Sequence, residues 1–180
     1  MIGRRRMLVL GLGGLVTLPA CWAAEKRAAS ERRSLELKNL HTGEVLNVTF
    51  DPAMGPDGES AAKLQHCLRD YRANEEHQMD AALYGLLLDL AASAGYPARY
   101  EVISGYRSPH TNAQLHAAGH AVAEHSMHME GRAIDVRLLG CDLERLRDAA
   151  LDLKRGGVGF YPSSNFVHVD TGRVRTWTGR

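Results

Sequence analysis

The residues with the clearest chemical potential fall in two short stretches. The first, Ser126-Met127-His128-Met129-Glu130-Gly131-Arg132-Ala133-Ile134-Asp135-Val136, carries a Ser-x-His-x6-Asp spacing. The second, Phe166-Val167-His168-Val169-Asp170, sets an imidazole two residues before a carboxylate. Imidazole nitrogen and carboxylate oxygen are zinc ligands, and a catalytic zinc site keeps one position open for water. A histidine on a half-buried strand is also a common structural residue. Residue type alone leaves both readings open.

Such side chains need rigid elements behind them. Gly131 allows the chain to turn from the His128 loop into a strand over Arg132–Leu138. There Ala133, Asp135 and Arg137 share one face, while Ile134 and Val136 anchor the other. In the second strand Phe166, His168 and Asp170 share a face and Val167 and Val169 enter the core, placing His168 and Asp170 about 7 Å apart along the backbone.

The remaining pattern supplies the scaffold. Leu35 and Leu37, a turn at His41–Glu44, then Val45, Val48 and Phe50 predict a hairpin. A loop over Asp51–Ser60 precedes a helix over Ser60–Asn74, with Leu64, Cys67, Leu68 and Tyr71 on one face. A second helix runs from an Asp80 N-cap to Gly95 and Pro97. Arg99–Ser104 reads as a strand, Gly105–Gly131 as a long His-, Ser- and Gly-rich segment, and Asp142–Lys154 as a helix. Gly156–Tyr161 and, last, Phe166–Asp170 are strands. Helices precede a cluster of short strands, which predicts an α+β domain with a small, largely antiparallel sheet and helices packed on it.

The 180 residues suffice for one domain with a sizeable core, and 44% hydrophobic with 24% charged residues is ordinary globular composition. The formal charge of +1 rests on Arg4, Arg5 and Arg6; without them 19 basic residues face 21 acidic ones, a net −2. That body offers no electrostatic case for nucleic acid or for an anionic membrane surface. Residues 1–23 read as an export signal: Arg4-Arg5-Arg6-Met7-Leu8 resembles a twin-arginine motif, and the apolar run to about Ala20 is too short to span a bilayer. Leu18-Pro19-Ala20-Cys21 resembles a lipobox, making lipid on Cys21 the alternative to cleavage after Ala23 or Ala24. Residues 24–33 form a polar tether and 34–180 the domain. The expected location is periplasmic, with membrane contact only through the signal or a lipid on Cys21. There Cys67 and Cys141 either pair or serve as small hydrophobes.

The two stretches resemble the M15 peptidase family, within the lysostaphin, D-Ala-D-Ala carboxypeptidase and hedgehog group. Ser104-Gly105-Tyr106-Arg107-Ser108 is similar to its Gly-Tyr-Arg segment. Asn39–Glu44, Arg69-Asp70-Tyr71-Arg72, Gly156–Gly159 and Ser164–Gly172 resemble the MepK-like branch of exported murein endopeptidases. The resemblance implies Zn2+ on His128, Asp135 and His168, Arg107 as oxyanion donor and Ser126 as an orienting group. It also implies peptidoglycan stem peptides and cross-links as substrate and a hedgehog- and D-Ala-D-Ala-peptidase-like fold.

One departure concerns the base. Several branches carry Glu or Asp three residues before the last ligand, and others a His two before it; here those positions hold Asn165 and Phe166. Asp170, the nearest carboxylate on the right face, is the candidate base, with a clamp on the site or an ion pair with Arg137 or Arg173 as the alternative. His125, His120 and Glu130 are further candidates. The expected activity is thus zinc-dependent endopeptidase cleavage of peptidoglycan cross-links. The alternatives are a D,D- or L,D-carboxypeptidase and a zinc-stabilised wall-binding domain without catalysis.

Overall fold

The computed structural model describes residues 32–120 and 122–179. The expected export signal, the residues of the tether up to Glu31, and Cys21 lie outside these. Leu35 and Leu37 point inward from β1 (Arg33–Asn39), and Val48 and Phe50 from β2 (Val45–Phe50); the two strands pair antiparallel with Leu35 opposite Val48. Arg33, assigned above to the tether, already belongs to β1 and pairs with Asp89 at 2.6 Å.

Four α-helices follow among the described residues. α1 (Gly58–Cys67) begins at Asp57, whose carboxylate accepts from Ser60 N. It stops seven residues short of Asn74, because Asp70 and Glu75 exchange backbone hydrogen bonds and fold residues 68–75 into a turn. α2 (Ala81–Ala94) runs as expected from the Asp80 cap to Gly95, which sits in the left-handed region at φ 81°. α3 (Pro109–Ala117) lies inside the segment expected to lack elements. Ser108 caps it and Pro109 starts it, but its polar sequence has no apolar stripe to announce it. α4 (Leu143–Leu153) matches the expected helix within a residue or so.

The other strands are β3 (Arg99–Ser104), β4 (Ala133–Leu138), β5 (Gly157–Tyr161), β6 (Phe166–Asp170) and β7 (Arg175–Thr178). β7 was not anticipated; Phe166–Asp170 is not the last strand. The seven form one sheet in the order β2-β1-β3-β4-β6-β5-β7. The α+β class holds, but the sheet is mixed: β1–β3 and β5–β7 are parallel, and the other four pairings antiparallel. Each parallel pair arises because an intervening antiparallel strand (β2, or β6) returns the chain to its starting end, with α1 and α2 following β2 before β3 begins.

α2 and α4 pack on each other and cover one face. Ile134, Val136, Val167 and Val169 point into that layer with Leu87, Leu90 and Leu146. Both described cysteines are free thiols; Cys67 is buried in this core, and burial pushes its thiol up to about 11. Among the described residues no helix is long and apolar enough to cross a membrane.

The opposite face is shaped by a polar anchor. Asp70, only 2% exposed, accepts from Ser108 N (2.9 Å), Ser108 Oγ (2.8 Å) and Arg72 N (3.0 Å). Next to it Tyr106 N donates to Leu68 O at 2.7 Å, and a Cβ on Gly105 would lie 2.5 Å from that same oxygen. The 68–75 turn therefore grips residues 105–108 at a distance only glycine permits. Burial opposes Asp70's charge, but hydrogen bonds from Thr111, Ser108 and Arg72 hold its carboxyl below the ordinary value. This contribution to stability is complete above the unfolded carboxylate pKa of about 3.9 and disappears as pH falls through the folded value. Asp70→Ala should lower unfolding free energy by about 3 kcal/mol in urea titrations, through lost charged hydrogen bonds and an orphaned Ser108 N–H. Asp70→Asn should lose less stability than wild type between pH 5 and 3.

Candidate metal centre

Strand register assembles the site. Ser104 lies opposite Asp135, Asp135 opposite His168, His168 opposite Gly159, and Gly159 opposite Trp177. One row of side chains thus crosses five strands on the face away from α2 and α4. A bulge between Val102 and Ser104 ends regular pairing beside Asp135, a common device next to functional groups. Gly159 contributes no side chain to the row, and a Cβ there would come within 2.6 Å of the Trp177 ring. That gap lets Trp177, on the edge strand, approach His168 with ring centres 5.1 Å apart.

His128 reaches the row from a single 3-10 turn (Met127–Glu130). Ser126 caps the turn, its Oγ accepting from His128 N at 3.4 Å, and Gly131 ends it at φ 65°. A side chain on Gly131 would also overlap Gln78 O. The turn is stitched to the gripped segment twice: Arg107 N donates to His128 O (3.2 Å), and His128 Nδ1 donates to Gly105 O (2.7 Å).

Three buried ligand atoms converge. His128 Nε2 lies 3.2 Å from His168 Nδ1 and 3.3 Å from Asp135 Oδ1, and His168 Nδ1 lies 2.8 Å from Asp135 Oδ1. A carbonyl only accepts, so His128 carries its proton on Nδ1 and turns the Nε2 lone pair inward. His168 Nε2 donates to Asp170 Oδ2 (3.1 Å), which likewise turns Nδ1 inward. Two lone pairs and a carboxylate therefore face one another. Tetrahedral zinc with bonds of about 2.0–2.2 Å separates its ligand atoms by roughly 3.3 Å, so the donor set fits zinc in type, tautomer and spacing. Burial disfavours a charged His168 ring, yet Asp135 and Asp170 outweigh it and raise its pKa to about 9. Burial equally opposes the charge of Asp135, but His128 and His168 hold its carboxyl well below the ordinary value.

The three atoms form the floor of a cleft of about 810 Å³. Arg107 and Ser126 line it, as their sequence context suggested. Arg107 is held loosely, by Asn112 Oδ1 at 3.4 Å and Ser104 Oγ at 3.5 Å, and its buried Nε has no partner. Asp170 does not line the cleft. It sits behind His168, fully buried, and also accepts from Gly157 N (3.0 Å), Gly172 N (2.8 Å) and both Arg175 nitrogens (2.7 and 3.1 Å). These partners match the clamp alternative, and its cationic partner is Arg175, not Arg137 or Arg173. Burial works against its charge, but His168, Arg175 and the two amides hold its carboxyl well below the usual range. Asn165 is in the β5–β6 turn at φ 54° and lines a separate recess with Glu101 and Arg137. His125 is exposed at the cleft, whereas His120 and Glu130 do not line it. Tyr161, Arg175 and Trp177 were missed by the sequence reading; a glycine-led strand ending in Tyr161 was the only signal near them.

The fold and donor set define a candidate single-metal site on the open face of a mixed sheet. Residues 27–177 match the M15 peptidase family described as peptidoglycan L,D-endopeptidase MepK, and the chain belongs to that family. It is 42% identical over 177 residues to peptidoglycan L,D-endopeptidase MepK of Escherichia coli strain K12, covering 97% of this chain and 96% of that protein. The Shigella flexneri protein of the same name matches to the same extent. A probable peptidoglycan L,D-endopeptidase MepK of Haemophilus influenzae is 43% identical over 148 residues, 82% of this chain and 80% of its own length. No solved structure matches the chain significantly.

If Asp170 fixes the His168 tautomer, Asp170→Asn should weaken zinc binding about 10- to 100-fold in chelator competition. His128→Ala, which removes a ligand atom outright, should abolish stoichiometric binding.

Proposed function

We propose that the chain is a zinc-dependent murein endopeptidase that hydrolyses L,D peptide cross-links of peptidoglycan. The observation that carries this reading is the convergence of His128 Nε2, Asp135 Oδ1 and His168 Nδ1 on the floor of a cleft that also holds an under-bonded guanidinium. The names of the relatives supply the substrate class and the bond type. Residues 1–23 would export the chain, 24–33 tether it with Arg33 already entering β1, and 34–180 form the zinc peptidase domain. The place of action is the periplasm, where its substrate lies, with lipid on Cys21 as the alternative to free release.

When bound, zinc supplies the Lewis acidity that activates water for attack on a peptide carbonyl. The chain's own residues do the rest. Gly105 O and Asp170 Oδ2 lock the two imidazole tautomers, and Ser126 fixes the turn that presents His128. Arg107 is desolvated and loosely bonded, so its N–H groups are free to stabilise charge developing on the substrate oxygen. Arg107 and Ser126 at the cleft favour an enzyme, whereas Asn165, which cannot take a proton from water and lines a separate recess, is the feature that favours an inert wall-binding module.

Digestion of purified muropeptide dimers, with and without chelator, should show chelator-sensitive conversion to monomers, and mass spectrometry would identify the bond. Release of terminal residues alone would mark a carboxypeptidase; intact dimers with zinc-loaded protein would favour a binding module. Arg107→Ala should lower kcat about 10²- to 10³-fold while keeping one zinc per chain.

A further inference from the structure

The cleft that holds Arg107 also carries a pinned hydroxyl that the proposed machinery does not yet use. Tyr161 ends β5 and lines the cleft together with Arg107 and the His–Asp–His floor. Its ring is immobilised on three sides. Phe166 stacks on it at 4.5 Å between centres and 18° between planes. Gly179 packs against its edge so closely that a Cβ there would overlap the ring. Trp177 Nε1 donates to its oxygen at 2.8 Å. Indole N–H only donates, so the Tyr161 oxygen is the acceptor in that bond and its own proton remains to be given. Among the described residues that proton meets no acceptor. The Trp177 ring lies 5.1 Å from that of His168, so the indole that holds the hydroxyl also packs against the ligand cluster.

Resting on the hydrolase reading above, we propose that Tyr161 is a second catalytic hydrogen-bond donor, giving its O–H to the scissile carbonyl oxygen alongside Arg107. Tyr161 keeps its proton throughout. It donates a hydrogen bond that strengthens as negative charge develops on that oxygen, while water adds to the carbonyl carbon and the C–N bond breaks. The clamp by Phe166, Gly179 and Trp177 fixes the donor before substrate arrives, the condition under which such donors contribute most. Trp177 is a positioning residue: occupying the Tyr161 lone pair orients the proton outward.

The test is Tyr161→Phe in the full-length zinc-loaded chain, assayed on cross-linked muropeptide dimers. It should lower kcat about 10²-fold, the scale of one lost oxyanion donor, with KM within about threefold of wild type. Zinc affinity, followed through the Trp177 emission change and corrected with a Trp177→Phe control, should stay the same. Gly179→Ala, which displaces the ring without touching the hydroxyl, should lower kcat as well, and adding Tyr161→Phe to it should cost little more. A kcat for Tyr161→Phe within threefold of wild type, or a loss confined to KM or to zinc affinity, overturns the proposal and leaves the hydrolase reading standing. A wild-type chain that binds zinc and cleaves no dimer overturns both.

Discussion

Two imidazole lone pairs and a carboxylate oxygen, all buried and within 3.3 Å of one another, are a costly thing for a protein to hold. Nothing in an apolar core would keep them together unless a cation or a proton sat between them. The rest of the open face is arranged around that constraint. Behind each imidazole stands an acceptor that dictates which nitrogen faces inward: a backbone carbonyl for His128, and a carboxylate itself neutralised by Arg175 for His168. The support therefore comes from both flanks of the sheet, the 105–108 segment on one side and β5–β7 on the other.

These flanks differ in how they are secured. The first depends on backbone contact, with Asp70 and Leu68 O pressing residues 105–108 into place and leaving room only for a glycine. The second depends on charge and on strand register, since Asp170 joins His168 in β6 to Arg175 in β7 across the amide of Gly157. Because α2 and α4 cover the opposite face, this surface is left for polar work. The core beneath it, built on Ile134, Val136, Val167 and Val169, supplies rigidity without competing for space.

Period-two and helical patterns made much of this legible. The β1–β2 hairpin, α2 with both caps, β3, β4, α4 and β6 follow from apolar spacing and terminal residues, and so does the shared face of Asp135 and His168. α3 was hidden because its sequence is polar and held by Ser108, Pro109 and tertiary contacts rather than by a stripe. α1 was read too long because its apolar pattern runs on into a segment that Asp70 folds otherwise. β7 escaped notice since Arg175–Thr178 alternates half-buried with exposed residues at an edge and has no core side to betray it. The same blind spot concealed Trp177 and Arg175. It also hid the surroundings of Asp170: spacing shows which face a carboxylate shares, not that four donors already surround it.

β5 deserves a different description in this light. At Gly157 and Gly159 it presents bare backbone to the cleft face, and through these two openings groups from the strands on either side meet directly: Asp170 with Arg175, and His168 with Trp177. A strand that supplies no functional group there thus sets the distance between those that do. One added carbon at either glycine would push apart partners belonging to two other strands. The positions with the least chemistry of their own are accordingly the ones whose volume the whole site is gauged against.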